Sequence, residues 1–229
     1  MRFVDLFNAI SSGGSPPLAV VENHYLPFDG VADHGYCDGA FPASGAYTIA
    51  IKVARRATSG FYYFAATDGT SHRDSCYRDT NKITWTGSFS LSSGINIPND
   101  DSTRVIAAKR DAAGAYGTGV VVSSAGNEFS GDDVTVTYAM PTRMAVGARV
   151  NTTAAAFSNI WFISALIATS EVSDADLLTW LSGGTAEHIA SLSHYWVASD
   201  INGASIPARV GTVPLTLVGP VAGDLVAWP

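Results

Sequence analysis

The chain has 229 residues, of which 47% are apolar and only 14% charged. That charge content is well below the ~25% of an average soluble protein, and with ordinary apolar content it excludes a long coiled coil and a charge-driven disordered chain. Thirteen Lys and Arg against 20 Asp and Glu give a net charge of −7. No concentrated basic surface exists for a nucleic-acid backbone, and three lysines, Lys52, Lys82 and Lys109, cannot form a polybasic membrane patch. The expected partners therefore include neither nucleic acid nor membrane.

Residues 1–23 read as an N-terminal arm. Phe3, Val4, Leu6, Phe7 and Ile10 form a short apolar pattern, and Ser11 to Pro17 follows as a flexible and then a stiff stretch. An edge strand with a loop is the equally open alternative. From Tyr25 the pattern becomes strand, turn, strand. Tyr47, Ile49, Ile51 and Val53 share one face of a strand over 46–54. Further strands are predicted at 61–64, 83–85, 103–108, 120–122, 133–139 and 144–148. Turn clusters such as Thr67-Asp68-Gly69-Thr70 and Pro98-Asn99-Asp100-Asp101 separate them. The longest apolar stretch, Ile160 to Ala168, is strand length and far short of the ~18 residues of a membrane span. One helix follows, with Ser173 as N-cap, Asp176 closing a capping box, Leu177, Leu178, Trp180 and Leu181 as its apolar stripe, and Gly183-Gly184 as its stop. It is expected to cap an open end of the sandwich. The fold class is all-β, a two-sheet antiparallel sandwich over residues 24–229, with an extension from about residue 192.

Three stretches carry a family resemblance. Met144-Ala145-Val146-Gly147-Ala148-Arg149, then Phe157-Ser158-Asn159-Ile160-Trp161, then Glu171-Val172-Ser173-Asp174-Ala175-Asp176-Leu177 resemble the closing strands and helix of a laminin-G-like jelly roll in the concanavalin A-like lectin/glucanase superfamily. Phe28-Asp29-Gly30-Val31-Ala32-Asp33 and the strand from Tyr47 resemble its opening. The tail, with His194-Tyr195-Trp196, Asp200 and Asn202-Gly203, is similar to segments found beside such domains in bacteriophage and bacterial surface proteins. The resemblance implies a jelly-roll sandwich, and a fold does not fix a function.

Glucanases of that superfamily carry paired acids on one strand, and none of Glu22, Glu128, Glu171 or Glu187 begins such a motif. No catalytic residues are therefore assigned and the chain is expected not to be an enzyme. His34 with Cys37 and His72 with Cys76 have spacings that suit a tetrahedral metal site, a Cys37–Cys76 disulfide, or two unlinked thiols. A core this large requires no metal, and no cofactor is expected. Asp29, Asp33 and Asp38, Asn99 to Asp101, and Asp132-Asp133 are either turn formers or calcium ligands. Tyr62 and Trp85 are the candidate sugar-stacking aromatics, while Phe3, Leu6, Phe7 and Trp228 are candidate docking residues at the chain ends.

No apolar run with a small-residue cleavage site opens the chain, which predicts synthesis in a host cytoplasm, with export by cell lysis left open and the virion as the expected location. With the small-polar surface and the apolar ends, this favours a structural role as a bacteriophage virion component. A capsid decoration or head-fibre protein would bind capsid proteins and sister subunits as a homo-oligomer. The alternative expectation is a carbohydrate-binding module for cell-surface glycans.

Overall fold

The computed structural model describes residues 22–55, 62–79, 82–87, 91–92, 102–112, 116–134, 139–150 and 153–227. Its strands in chain order are β1 (His24–Pro27), β2 (His34–Asp38), β3 (Tyr47–Arg55), β4 (Tyr62–Thr67), β5 (His72–Asp79), β6 (Lys82–Gly87), β7 (Leu91–Ser92), β8 (Thr103–Arg110), β9 (Tyr116–Ser123) and β10 (Gly126–Val134). There follow β11 (Arg143–Val146), β12 (Arg149–Val150), β13 (Ala154–Ala155), β14 (Ile160–Ala168), β15 (Leu192–Val197), β16 (Ser205–Ile206), β17 (Leu215–Val218) and β18 (Val226–Ala227). The single α-helix among the described residues is α1 (Asp174–Leu181).

Every ladder among the described residues is antiparallel. The first sheet runs β10-β9-β8-β3-β14-β1-β18, with β15 pairing the second half of β14, and the second runs β16-β17-β2-β11-β4-β5-β6-β7. The fold is the expected two-sheet jelly-roll sandwich. Alternation builds its core: Tyr47, Ile49, Ile51 and Val53 of β3 and Phe162, Ala165 and Ile167 of β14 face Cys37, Phe64, Cys76, Trp85, Met144 and Val146 of the second sheet. Gly147 (φ +75°) turns the chain where an added Cβ would lie 2.2 Å from the Phe28 ring, so no other residue fits there without moving that ring.

One expectation is corrected. The helix has its expected cap, with Ser173 Oγ accepting from the amide of Asp176 at 3.1 Å, but it does not close an end of the sandwich. Instead α1 lies across the outward face of the first sheet, where Leu177 and Trp180 bury Val105, Ala107, Val120 and Val122. The first sheet is apolar on both faces, so it needs a cover on the second. The tail from about residue 192 is built into the sandwich: β15 pairs β14, β17 pairs β2 and β18 pairs β1, so it supplies strands to both sheets. The strand expected over 133–139 is described only to Val134, and the rest of it lies outside the described residues.

Candidate functional site

The two outward faces differ. Between α1 and the first sheet, the Glu22 carboxylate is 3% exposed and accepts from Lys52 Nζ at 2.7 Å and Trp180 Nε1 at 2.9 Å. It also accepts from the Tyr195 hydroxyl, whose pKa burial and the Glu22 charge push up. Lys52 donates further to the Trp180 carbonyl at 3.0 Å. Every polar atom named here has a partner inside the protein, so this cluster fastens the layers together and offers nothing to a ligand.

The outward face of the second sheet has no helix over it among the described residues. Residues i, i+2 and i+4 of β2 point there, placing His34, Tyr36 and Asp38 in one line about 7 Å apart. Register then sets one cross-strand row as Ser205, Thr216, Tyr36, Ala145, Ala65, Ser75 and Thr86. Another runs Asp38, Arg143, Thr67. Arg143 holds Asp38 through two bonds, Nε to Oδ1 at 2.6 Å and Nη2 to Oδ2 at 2.8 Å, and its guanidinium carbon sits 5.2 Å from the Tyr36 ring centroid. The Asp38 hydrogen bond raises the pKa of Arg143, so the guanidinium stays charged. Asp38 remains 57% exposed and Arg143 28% exposed. The β12–β13 hairpin folds over the middle of this face, packing Ala148, Val150, Ala154 and Phe157 on Ala145 and Tyr36. Ser158 locks its base, with Oγ donating to the Tyr62 carbonyl at 2.6 Å. Tyr36, Phe157 and Thr216 stay half-exposed beside it. The result is an aromatic floor, a fixed ion pair and hydroxyls on one rigid sheet.

Of the sequence-predicted sugar aromatics, Tyr62 is half-buried on this same face, beside the other flank of the hairpin, its ring 5.4 Å from that of Tyr77. Trp85 is a correction. It is fully buried in phase with Ile83, stacks 5.4 Å from Phe129, donates from Nε1 to the Ala107 carbonyl at 2.9 Å, and fills the space left by Gly119. No sugar can reach it.

The paired His and Cys do not form a shared site. Strands β2 and β5 are separated by β11 and β4, which puts Cys37 and Cys76 about 14 Å apart at three strand spacings. That exceeds the reach of a disulfide or of a common metal ion. His34 and Cys37, three apart on a strand, face opposite ways: Nδ1 of His34 lies 2.8 Å from the Ala32 carbonyl, while Cys37 points into the core. Burial pushes the Cys37 thiol up to about 12 and that of Cys76 well above its ordinary value, and both are free thiols. The backbone of His72 pairs with Thr67, and its side chain lies outside the described residues.

Asp29 behaves as a turn former. Its Oδ1 accepts from the amides of Val31, Ala32 and Asp33 at 2.7, 3.0 and 3.2 Å, and these bonds, the one from Val31 foremost, hold its pKa down. Asp33 shares a cleft of about 290 Å³ with Asp29 and Asp224, and burial, together with those two charges, raises its pKa. No group of three or more His, Cys, Asp or Glu able to hold a metal occurs among the described residues. Asp132 accepts from the Thr118 hydroxyl at 2.5 Å. Phe3, Leu6, Phe7 and Trp228, and likewise Asn99 to Asp101, lie outside the described residues.

A larger cleft of about 500 Å³ runs between α1 and the β9–β10 turn, lined by Leu178, Leu181 and hydroxyl side chains. Three of its five hydroxyls are engaged locally, Thr179 with the Ala175 carbonyl at 2.9 Å, Ser182 with that of Thr179 at 3.1 Å, and Ser123 with the amide of Ala125 at 3.2 Å. The cleft therefore presents few directional groups to a ligand. Sequence reasoning missed Tyr36, Arg143 and Phe157. The alternation His34-Gly35-Tyr36-Cys37-Asp38 is the signal that separates Tyr36 from the inward Cys37, but the pairing of Arg143 with Asp38 spans 105 positions and has no local signature.

No protein-family model matches the sequence, and no curated protein matches it. Among solved structures the chain is similar to a Bacteroides ovatus protein proposed to bind carbohydrate, with TM-score 0.63 and 11% identity over 93% of this chain and 62% of that one. The chain thus spans about three fifths of that protein's structure. It is also similar to the native heptameric SAP-like pentraxin of Limulus polyphemus, with TM-score 0.55 and 10% identity over 86% of this chain and 96% of that one. A weaker likeness, TM-score 0.48 and 13% identity over 72% of this chain and all of the other, is to the CBM40 of a Ruminococcus gnavus IT-sialidase. At such identities the first two likenesses show the jelly-roll sandwich fold and nothing finer.

Proposed function

We propose that this chain is a non-catalytic glycan-binding module whose ligand lies on the outward face of the second sheet. The observation that carries the reading is the half-exposed Tyr36 ring beside the Arg143–Asp38 pair. A sugar has an apolar ring face and a hydroxyl edge. Tyr36 and Phe157 supply the apolar contact, Asp38 accepts from hydroxyls, and Arg143 and Thr216 donate. The carboxylates support a binding role over hydrolysis: Glu22 and Glu128 are held by Lys52 and Arg104, Glu171 is exposed in a loop and Glu187 in a short 3-10 helix. The carbohydrate-binding description of a structural neighbour agrees with the proposal. Isothermal titration of the full chain and of Tyr36→Ala with glycans selected on an array tests it. Loss of at least tenfold in affinity is expected, and unchanged affinity overturns the site.

A second reading, a virion component assembling through residues 1–23, is favoured by one observation. Glu22, at the root of that segment, is fixed in a buried ion pair, as the foot of a tether should be. It extends the first reading, since a virion-borne module can bind glycans. Deleting residues 1–17 should abolish assembly on shells while leaving the thermal transition intact; assembly that survives the deletion contradicts it.

A further inference from the structure

The charge arrangement of the same face narrows the ligand class, and from it we infer that the site takes neutral, hydroxyl-rich glycans and rejects those carrying a carboxylate. This rests on the glycan-binding reading. Recognition of an acidic sugar needs a cation free to meet its charge. Arg143, the guanidinium over Tyr36, already has both arms on Asp38. Arg73, near the end of the same face, is likewise paired with Asp68. An incoming carboxylate has to displace Asp38 from Arg143 or lie against it, and Asp38 is the more exposed partner of the pair. The net charge of −7 adds long-range repulsion. A neutral sugar meets none of this. Asp38 and Arg143 hold each other at fixed spacing, so neighbouring hydroxyls find an acceptor and donors already oriented, with little ordering left to do on binding. Arg149 is the contrasting residue: it has no carboxylate partner among the described residues, but on its strand it alternates with Val150, which packs down on the sheet, so its side chain points away from this face.

The test is binding of the full-length chain to immobilised neutral oligosaccharides and to the same backbones bearing sialic or uronic acids. Asp38→Asn and Arg149→Ala are measured alongside. Wild type should bind its best neutral glycan at least tenfold more tightly than the acidic counterpart. Asp38→Asn, a change at an exposed position that leaves folding intact by its thermal transition, should weaken the neutral ligand and narrow that ratio. Arg149→Ala should leave the ratio unchanged. Preference for the acidic series overturns the inference while sparing the glycan-binding reading, and collapse of that preference in Arg149→Ala would place the recognition on the hairpin cation. Equal binding of both series, or an unchanged ratio in Asp38→Asn, also overturns it. Absence of binding to every glycan overturns the underlying reading together with this one.

Discussion

The outward faces of the two sheets are built from similar strands and end in opposite states. That of the first sheet presents Val105, Ala107, Val120, Val122 and Leu166 and is roofed by α1, with the Glu22–Lys52 pair sealed beneath Trp180. That of the second presents Tyr36, Asp38, Arg143, Thr216 and Ser205, and the covering among the described residues is one short hairpin. Buried apolar area holds the roof on, since each fully covered large side chain contributes about 1.5–3 kcal/mol. Around Tyr36 the apolar contact among the described residues is the small cluster under that hairpin, far less than what holds the helix on the first sheet. A sandwich needs its inner faces for cohesion, so whichever outward face it leaves polar is available for recognition.

The comparison breaks most severely under the roof. Glu22→Leu leaves Lys52 buried without its carboxylate and removes the acceptor of Trp180 and Tyr195, so a loss of about 3–5 kcal/mol is expected in denaturant unfolding. Trp85→Ala, between the sheets, should cost a similar ~3–5 kcal/mol. A loss below about 1 kcal/mol at either position would show that the layer is not held as described. Tyr36→Ala sharpens the contrast by reversing the pattern: at least tenfold in glycan affinity, but only about 1 kcal/mol or less in stability, as for a surface position. A smaller effect comes from acid. Asp68 has its pKa held below the ordinary value, first by the amide of Ser71, then by that of Thr70 and by Arg73. A carboxyl depressed in the fold stabilises above its unfolded pKa of about 4 and loses that contribution as pH falls. Thermal midpoints should therefore drop below about pH 4, and Asp68→Asn should flatten that limb. Asp33 has the opposite sign, being raised by burial and by Asp29 and Asp224, so its ionised form costs stability. Asp33→Asn should raise the midpoint slightly at pH 7 and change nothing at pH 3; a lowered midpoint at pH 7 would contradict the assignment.

Much of the fold was legible because its signals are local. Alternation over 46–54 marked the inward face of β3, the Ser173–Asp176 box marked the helix start, and the apolar run Ile160 to Ala168 coincides with β14. The helix position was not legible, because its stripe says that it must be covered and not by what. Trp85 was misread for the same reason. An aromatic on an alternating strand belongs to one face or the other, and only the phase of Ile83 with Trp85 against the facing Gly119 decides it. His34-x-x-Cys37 looked like a metal half-site only while its conformation was unknown, since on a strand that spacing divides the two side chains between faces. Tyr62, the other aromatic singled out from the sequence, lies half-buried on the same face, whereas Tyr36 needed the row that Thr216 and Ala145 complete from 180 and 109 positions away.

The most direct test is a backbone amide titration by NMR, adding the best neutral oligosaccharide to isotopically labelled full-length protein. The account predicts saturable shifts centred on residues 34–38, 143 and 216, with Leu177 to Leu181 unmoved. Saturable binding that shifts the α1 cleft and leaves Tyr36 and Arg143 in place would contradict it.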